Sequence, residues 1–287
     1  FKDLQSFLDL YYEGAGVLRD EEDFRSLTSA YLDKARRDGI WHVEPFFDPQ
    51  THTARGIPLK TVVDGIVGAL RDSEKRNGIT WRLIPCFLRH LSEEEAMKTW
   101  EELKPFRSLF GAVGLDSSEK GNPPSKFARV FAKVREAGLK VVAHAGEEGP
   151  PAYIREALEL LQASRIDHGV RCMEDPALVK ELARKRIPLT TCPLSNVRLR
   201  VYAKLEEHPL RDLLDAGVCA SAHSDDPPYF GGYLLENWTQ CIRALALQAK
   251  HVVQLAKNSF EGSFLSEAEK KKWIGEVEKF SSKMQSA

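Results

Sequence analysis

Closely spaced cysteines, a large net charge and long apolar runs are all lacking from this 287-residue sequence. The five cysteines are widely scattered, which excludes a zinc–thiolate site and favours the reduced, buried thiols of a cytoplasmic protein. Lys and Arg number 41 and Asp and Glu 42, so bulk attraction to nucleic acid or to a membrane surface is not expected. No apolar run approaches the roughly 20 residues of a membrane span. The composition therefore predicts a soluble globular protein, with homo-oligomerisation left open.

Strand-length apolar runs alternate with amphipathic segments of helical periodicity along the chain. Strands are predicted at 40–47, 80–88, 109–116, 139–146, 165–169, 187–193 and 217–225. Helices are predicted near 58–76, 92–104, 124–137, 152–163, 175–185 and 207–215, with further helices before the first strand and after the last. This alternation is typical of a parallel sheet covered by helices.

The alternation favours one domain over residues 1–287, a TIM-like (β/α)8 barrel with extra helices. Only seven strands are visible, so the first barrel strand is expected to lie before Phe1. An open doubly wound sheet is the alternative, but it would normally carry a glycine-rich phosphate loop, and neither GxGxxG nor a Walker pattern occurs.

Polar residues collect at the carboxyl ends of the last predicted strands, where parallel barrels place their chemistry. "HAGEEG" supplies His144 and Glu147, "RIDHG" supplies His168, and "HSDDP" supplies Asp225 and Asp226. Each residue alone has an ordinary structural explanation, such as a buried histidine or a helix N-cap before proline. Their convergence at one barrel mouth favours a functional site.

Imidazole and carboxylate ligands without thiolates suit zinc or a similar divalent ion that keeps one position open for water. Asp225 could ligate the ion while Asp226 stays free to accept a hydrogen bond from a substrate. His168 could orient the water and help to deprotonate it, and Glu147 is placed to act as a general acid. The residues predict a metal-dependent hydrolase.

Several motifs together resemble those of the adenosine/adenine deaminase family in the amidohydrolase superfamily. They are "HAGEEGP", "RIDHGVR", "CPLSNVRL" and "SDDPPYFGGY", with "HVEPFFDPQTHTARGI" and "GLDSSEKGNPPSKF" further upstream. Adenosine deaminases typically read RIGHG where this chain has "RIDHG", so the sequence is more similar to the adenine deaminase branch. The resemblance implies a barrel fold, one zinc ion per chain, a small purine substrate, and hydrolysis of adenine to hypoxanthine and ammonia in purine salvage.

The resemblance also implies a role for each motif residue. His144 is a zinc ligand, and Asp225 is a zinc ligand that also accepts the proton of the attacking water. Glu147 protonates the ring nitrogen beside the amino-bearing carbon, and His168 positions the attacking hydroxide. Asp226 contacts the imidazole edge of the purine.

"GLDSSE" matches the family segment that touches the far edge of the purine. There Ser118 or Glu119 is expected to contact the free base, since a carboxylate could accept the ring N–H that adenine has and adenosine lacks.

Two departures from the family pattern leave alternatives open. The His-x-His pair that supplies two metal ligands is absent, and is expected to belong to a segment before Phe1. His223 stands where the family commonly has Asn, so it either adds a ligand or reshapes the site, and Pro228 replaces a small residue. The alternatives are a deaminase of adenosine or N6-substituted adenines, or a catalytically silent purine-binding homologue.

Overall fold

Helices and strands alternate through residues 1–285, the part of the chain that the computed structural model describes. The strands are β1 His42–Val43, β2 Phe46–Phe47, β3 Thr80–Trp81, β4 Ile84–Leu88, β5 Ala112–Asp116, β6 Lys140–Ala145, β7 Arg165–His168, β8 Pro188–Thr191 and β9 Cys219–Ala222. The first helices are α1 Leu4–Gly14, α2 Glu21–Arg37, α3 Pro49–Thr53, α4 Leu59–Asn77, α5 Glu93–Leu103, α6 Ala128–Glu136 and α7 Pro151–Glu159. They are followed by α8 Pro176–Lys185, α9 Pro193–Arg198, α10 Leu210–Asp215, α11 Pro227–Phe230, α12 Leu234–Ala244, α13 Ala249–Glu261 and α14 Glu267–Gln285. Short 3₁₀ helices occupy Ala15–Val17, Lys104–Leu109, Pro124–Phe127, Val170–Glu174 and Leu205–Glu207.

The chain divides into two compact units. The first unit comprises Phe1–Ala143 and Leu160–Gln162, and the second comprises His144–Glu159 and the described residues from Ala163 onward. Strand β6 contributes its first four residues to the first unit and its last two to the second. The single domain over 1–287 stays a prediction.

In the first unit, β2, β4, β5 and β6 form a parallel sheet in that order, and β1 pairs with β3 in a separate two-stranded sheet. All five residues of β4 are buried, as expected of a strand covered on both faces. α2 and α4 pack against each other, and α4 buries one apolar face along its length.

In the second unit, β7, β8 and β9 are parallel neighbours. Every residue of β7 is buried, although its sequence "RIDH" is polar at three of four positions. Burying an ionisable group costs free energy unless the group is paired. The buried Arg165 and Asp167 of β7 form such a pair.

The predicted elements agree with the structure in type and order. Two predicted strands differ from the structure. The predicted strand 40–47 is β1 and β2, interrupted at Pro45, which has no N–H for a sheet hydrogen bond. The predicted strand 80–88 is β3 and β4, which belong to different sheets. The helix α5 begins with a capping box, in which Ser92 and Glu95 make reciprocal hydrogen bonds. Within residues 1–285, no helix combines the length and apolar character that crossing a bilayer requires.

Candidate active site

The turn after β6 carries two of the predicted site residues. Gly146 has φ +72°, and a Cβ at this position would lie 2.5 Å from Ile154 Cδ1, so the turn requires glycine. The tight reversal places Glu147 three residues after His144, with the Glu147 side chain only 4% exposed. A buried carboxyl in this position is suited to proton transfer because competing water is largely excluded.

His168 and Asp225 both have left-handed backbones, with φ +61° and +56°. Side chains other than glycine rarely adopt this conformation, although His and Asp tolerate it better than most. Two such residues in one cluster represent local strain that the surrounding structure maintains, as is common at functional sites.

His168 lies between two predicted catalytic carboxylates. Its Nδ1 is 3.6 Å from Glu147 Oε1, and its Nε2 is 3.9 Å from Asp225 Oδ2. The His144 ring is 5.1 Å from the His168 ring between centroids. The structure thus brings together four residues that the sequence placed at three strand ends. Asp226 follows as the N-cap of α11.

A carboxylate from β7 faces the predicted metal ligand. Asp167 Oδ1 accepts hydrogen bonds from Thr190 Oγ1 at 2.7 Å and from Arg165 Nε at 3.3 Å. Its Oδ2 accepts no hydrogen bond from any described residue and lies 3.8 Å from His144 Nδ1. Metal-ligating histidines commonly direct their second ring nitrogen at a carboxylate, which fixes the ring and raises its basicity.

We expect Asp167→Asn to weaken zinc binding by about 10- to 100-fold, because the amide no longer provides a charged acceptor opposite His144 Nδ1. The zinc dissociation constant, measured by competition with a chromophoric chelator, checks this. Thr190→Val is the matched control, since it removes only the hydrogen bond to Asp167 Oδ1. Equal zinc affinity in Asp167→Asn and wild type would contradict the orienting role. A thermal melting curve measures separately any loss of stability that follows from removing the ion pair between Arg165 and Asp167.

The donor atoms near His168 fit a divalent ion. One ligand atom from each of His168, Cys192 and Asp225 lies within 4.8 Å of the others. Burial, together with the negative charges of Asp225 and Glu147, raises the pKa of the Cys192 thiol well above its usual value. The imidazole and carboxylate groups of this cluster are ligand types that suit zinc with an open position. The assignment of His144 as a ligand stays a prediction.

His223 Nε2 lies 2.7 Å from Ser221 Oγ, two residues earlier in the chain. This contact occupies the ring nitrogen and favours the interpretation that His223 shapes the site rather than supplying an extra ligand.

Ser118 and Glu119 lie in the first unit, in the loop after β5. Ser117 turns the chain with φ +75°, the Ser118 carbonyl accepts a hydrogen bond from Asn122 Nδ2 at 3.0 Å, and Glu119 is 1% exposed. Their contact with substrate stays a prediction.

Sequence reasoning missed an acidic pair in the first unit. Burial raises the pKa of Asp48 and of Asp116, and the charge of Asp48 raises the pKa of Asp116 further.

It also missed Asn196 and His208, both buried in the second unit. Asn196 Nδ2 lies 3.3 Å from Glu147 Oε1 and 3.2 Å from His168 Nδ1, and its Oδ1 lies 3.1 Å from His208 Nε2. Asn196 closes the "CPLSN" motif at a strand end, which was a usable signal. Nothing in the sequence around His208 indicated that this residue contacts Asn196.

Comparisons with known proteins show the family to which the chain belongs. A family model described as adenosine deaminase matches residues 1–280. Proteins named adenine deaminase from Cupriavidus necator and Cupriavidus taiwanensis are 56% and 57% identical over 280 residues, covering 98% of this chain and 80% of each relative.

Two solved structures are also similar to this chain. The crystal structure of adenine deaminase from Arthrobacter aurescens matches with a TM-score of 0.95 at 48% identity, covering 98% of this chain and 86% of that one. A zinc-bound amidohydrolase from Burkholderia ambifaria matches with a TM-score of 0.87 at 26% identity, covering 94% of this chain and 77% of that one. These matches confirm the predicted α/β barrel-type fold of parallel strands and helices, and the resemblance to the adenine deaminase branch. The chain is an enzyme of the adenine deaminase-like aminohydrolase type, and it belongs to the adenosine deaminase family.

Proposed function

We propose that this protein hydrolyses adenine to hypoxanthine and ammonia with one zinc ion per chain, as a purine-salvage enzyme of the cytoplasm. The observation that carries the proposal is His168, which has Glu147 near one ring nitrogen and Asp225 near the other. Identity of 56–57% to proteins named adenine deaminase supports the substrate. Five buried free cysteines support a reducing compartment.

A zinc ion would be held by His144 and Asp225, and when bound it would supply a water that is nucleophilic at neutral pH. Asp225 would accept the proton of the attacking water, and His168 would orient that water toward the amino-bearing carbon of the purine. Glu147 donates a proton to the adjacent ring nitrogen, which makes the carbon electrophilic enough for water to add and ammonia to leave. Asp226 accepts a hydrogen bond from the imidazole edge of the base.

The proposal is tested by measuring zinc per chain together with the loss of adenine absorbance. Stoichiometric zinc with adenine turnover supports it. Faster turnover of adenosine or of an N6-substituted adenine than of adenine would show that adenine is not the preferred substrate. Purine binding without metal or turnover would indicate a catalytically silent homologue.

Glu119 is the proposed contact for the ring N–H of the free base. We expect Glu119→Gln to lower kcat/KM for adenine by about 10-fold or more, because a hydrogen bond to a charged acceptor contributes about 1.5–3 kcal/mol. Adenine kinetics with zinc content measured in parallel check this. Glu148→Gln, a half-buried glutamate after the β6 turn, serves as the control. Unchanged adenine kinetics in Glu119→Gln would remove the contact from the proposal.

A further inference from the structure

A chain of hydrogen bonds approaches His168 from His208 and Asn196. It begins at the backbone N–H of Leu210, which donates to His208 Nδ1 at 3.2 Å. Because Nδ1 accepts, the single proton of the neutral imidazole lies on Nε2, which is 3.1 Å from Asn196 Oδ1 and donates to it. Burial lowers the pKa of His208 to about 3, so the ring stays neutral over the working pH range.

This donation fixes the orientation of the Asn196 amide. With Oδ1 accepting from His208, the two hydrogens of Nδ2 are directed at His168 Nδ1 and Glu147 Oε1, at 3.2 and 3.3 Å. The reversed amide would place an N–H against His208 Nε2–H and an oxygen against the Glu147 carboxyl. Asn196 is fully buried, so water cannot relieve those two contacts.

We propose that Asn196 and His208 are positioning residues that hold His168 in the tautomer protonated at Nε2 and keep Glu147 Oε1 as an acceptor. His168 then directs its N–H toward Asp225 Oδ2, 3.9 Å away, on the side where the attacking water is required. The proton that Glu147 transfers is confined to its other oxygen, Oε2. The catalytic consequence rests on the proposed function, whereas the tautomer itself does not depend on turnover.

The test combines histidine NMR with kinetics. In zinc-loaded protein labelled with ¹⁵N-histidine, long-range ¹H–¹⁵N spectra give the tautomer of each ring, and the His168 signals are those absent from His168→Gln. We expect a bare Nδ1 and a protonated Nε2 on His168 in wild type. In Asn196→Asp the carboxylate only accepts, so we expect His168 to become protonated at Nδ1 and kcat to fall about 100-fold with KM changed far less.

Two substitutions of His208 separate the hydrogen bond from packing. His208→Gln retains an N–H donor near the position of Nε2, and we expect the wild-type tautomer with kcat within about threefold of wild type. His208→Phe fills the space without a donor, and we expect a mixture of His168 tautomers with kcat lowered about 10-fold. Asn258→Asp, which places a carboxylate at an equally buried amide beside Arg186, is the control and should leave the His168 tautomer unchanged.

Protonation of His168 at Nδ1 in wild type would overturn the proposal, as would an unaltered tautomer in Asn196→Asp. Equal loss of activity in His208→Gln and His208→Phe would also contradict it, because packing alone would then explain the effect. Failure of the wild-type enzyme to deaminate adenine would overturn the proposed function, while the NMR result would still decide the tautomer.

Discussion

Glu147→Gln is expected to lower kcat for adenine by about 10²- to 10⁴-fold, the usual contribution of a positioned general acid. The substitution preserves shape and leaves a carbonyl oxygen that can still accept from Asn196 Nδ2, so the hydrogen bond to that amide is retained. What is lost is the transferable proton. Because Glu147 is only 3% exposed, bulk solvent has little access to take over the transfer.

The measurement is steady-state adenine deamination, followed by absorbance, with zinc per chain determined on the same preparations. Glu148→Gln is the matched control, because it makes the same change one residue further along and should retain nearly wild-type kcat. Full activity in Glu147→Gln with normal zinc content would exclude this residue as the acid. Loss of zinc in the same variant would instead indicate that Glu147 acts on the metal.

Asp225→Asn is expected to abolish tight zinc binding and to lower kcat by about 1,000-fold or more. A bound metal ion contributes several kcal/mol to transition-state stabilisation, and each ~1.4 kcal/mol corresponds to a factor of ten in rate. The amide is neutral, so it neither balances the charge of the ion nor accepts the proton of the water. Asparagine is a sound substitution here because it tolerates the left-handed backbone at this position, φ +56°, whereas alanine would add strain.

Zinc affinity and adenine kinetics check this prediction, and circular dichroism verifies the fold. Asp212→Asn, an exposed carboxylate on α10, is the control for removing one negative charge from the same unit. Wild-type zinc affinity in Asp225→Asn would show that other residues hold the ion.

The arrangement of strands and the principal site residues could be predicted because both depend on local sequence. Apolar runs of strand length, capping signals such as Ser92…Glu95, and polar residues directly after strands are visible without knowledge of distant contacts. The rule that parallel strands present their carboxyl ends together then grouped His144, Glu147, His168 and Asp225. Their proximity around His168 in the structure agrees with that grouping.

The supporting residues could not be predicted in the same way. Asp167 is adjacent to His168 in sequence, yet only the fold shows that its Oδ2 faces His144 while Arg165 and Thr190 hold its other oxygen. Cys192 could be read as an ordinary buried thiol, and its place among the site carboxylates emerges only in three dimensions.

The alternation of strands and helices, the resemblance to a deaminase family and the titratable side chains at strand ends could all be recognised in the sequence. The orientation of those side chains, and with it the tautomer that we propose for His168, depends on tertiary contacts. Secondary structure follows from neighbours a few residues apart, whereas the hydrogen bonds of Asn196 with His208, His168 and Glu147 join residues that are 12, 28 and 49 positions apart and meet only after the chain has folded.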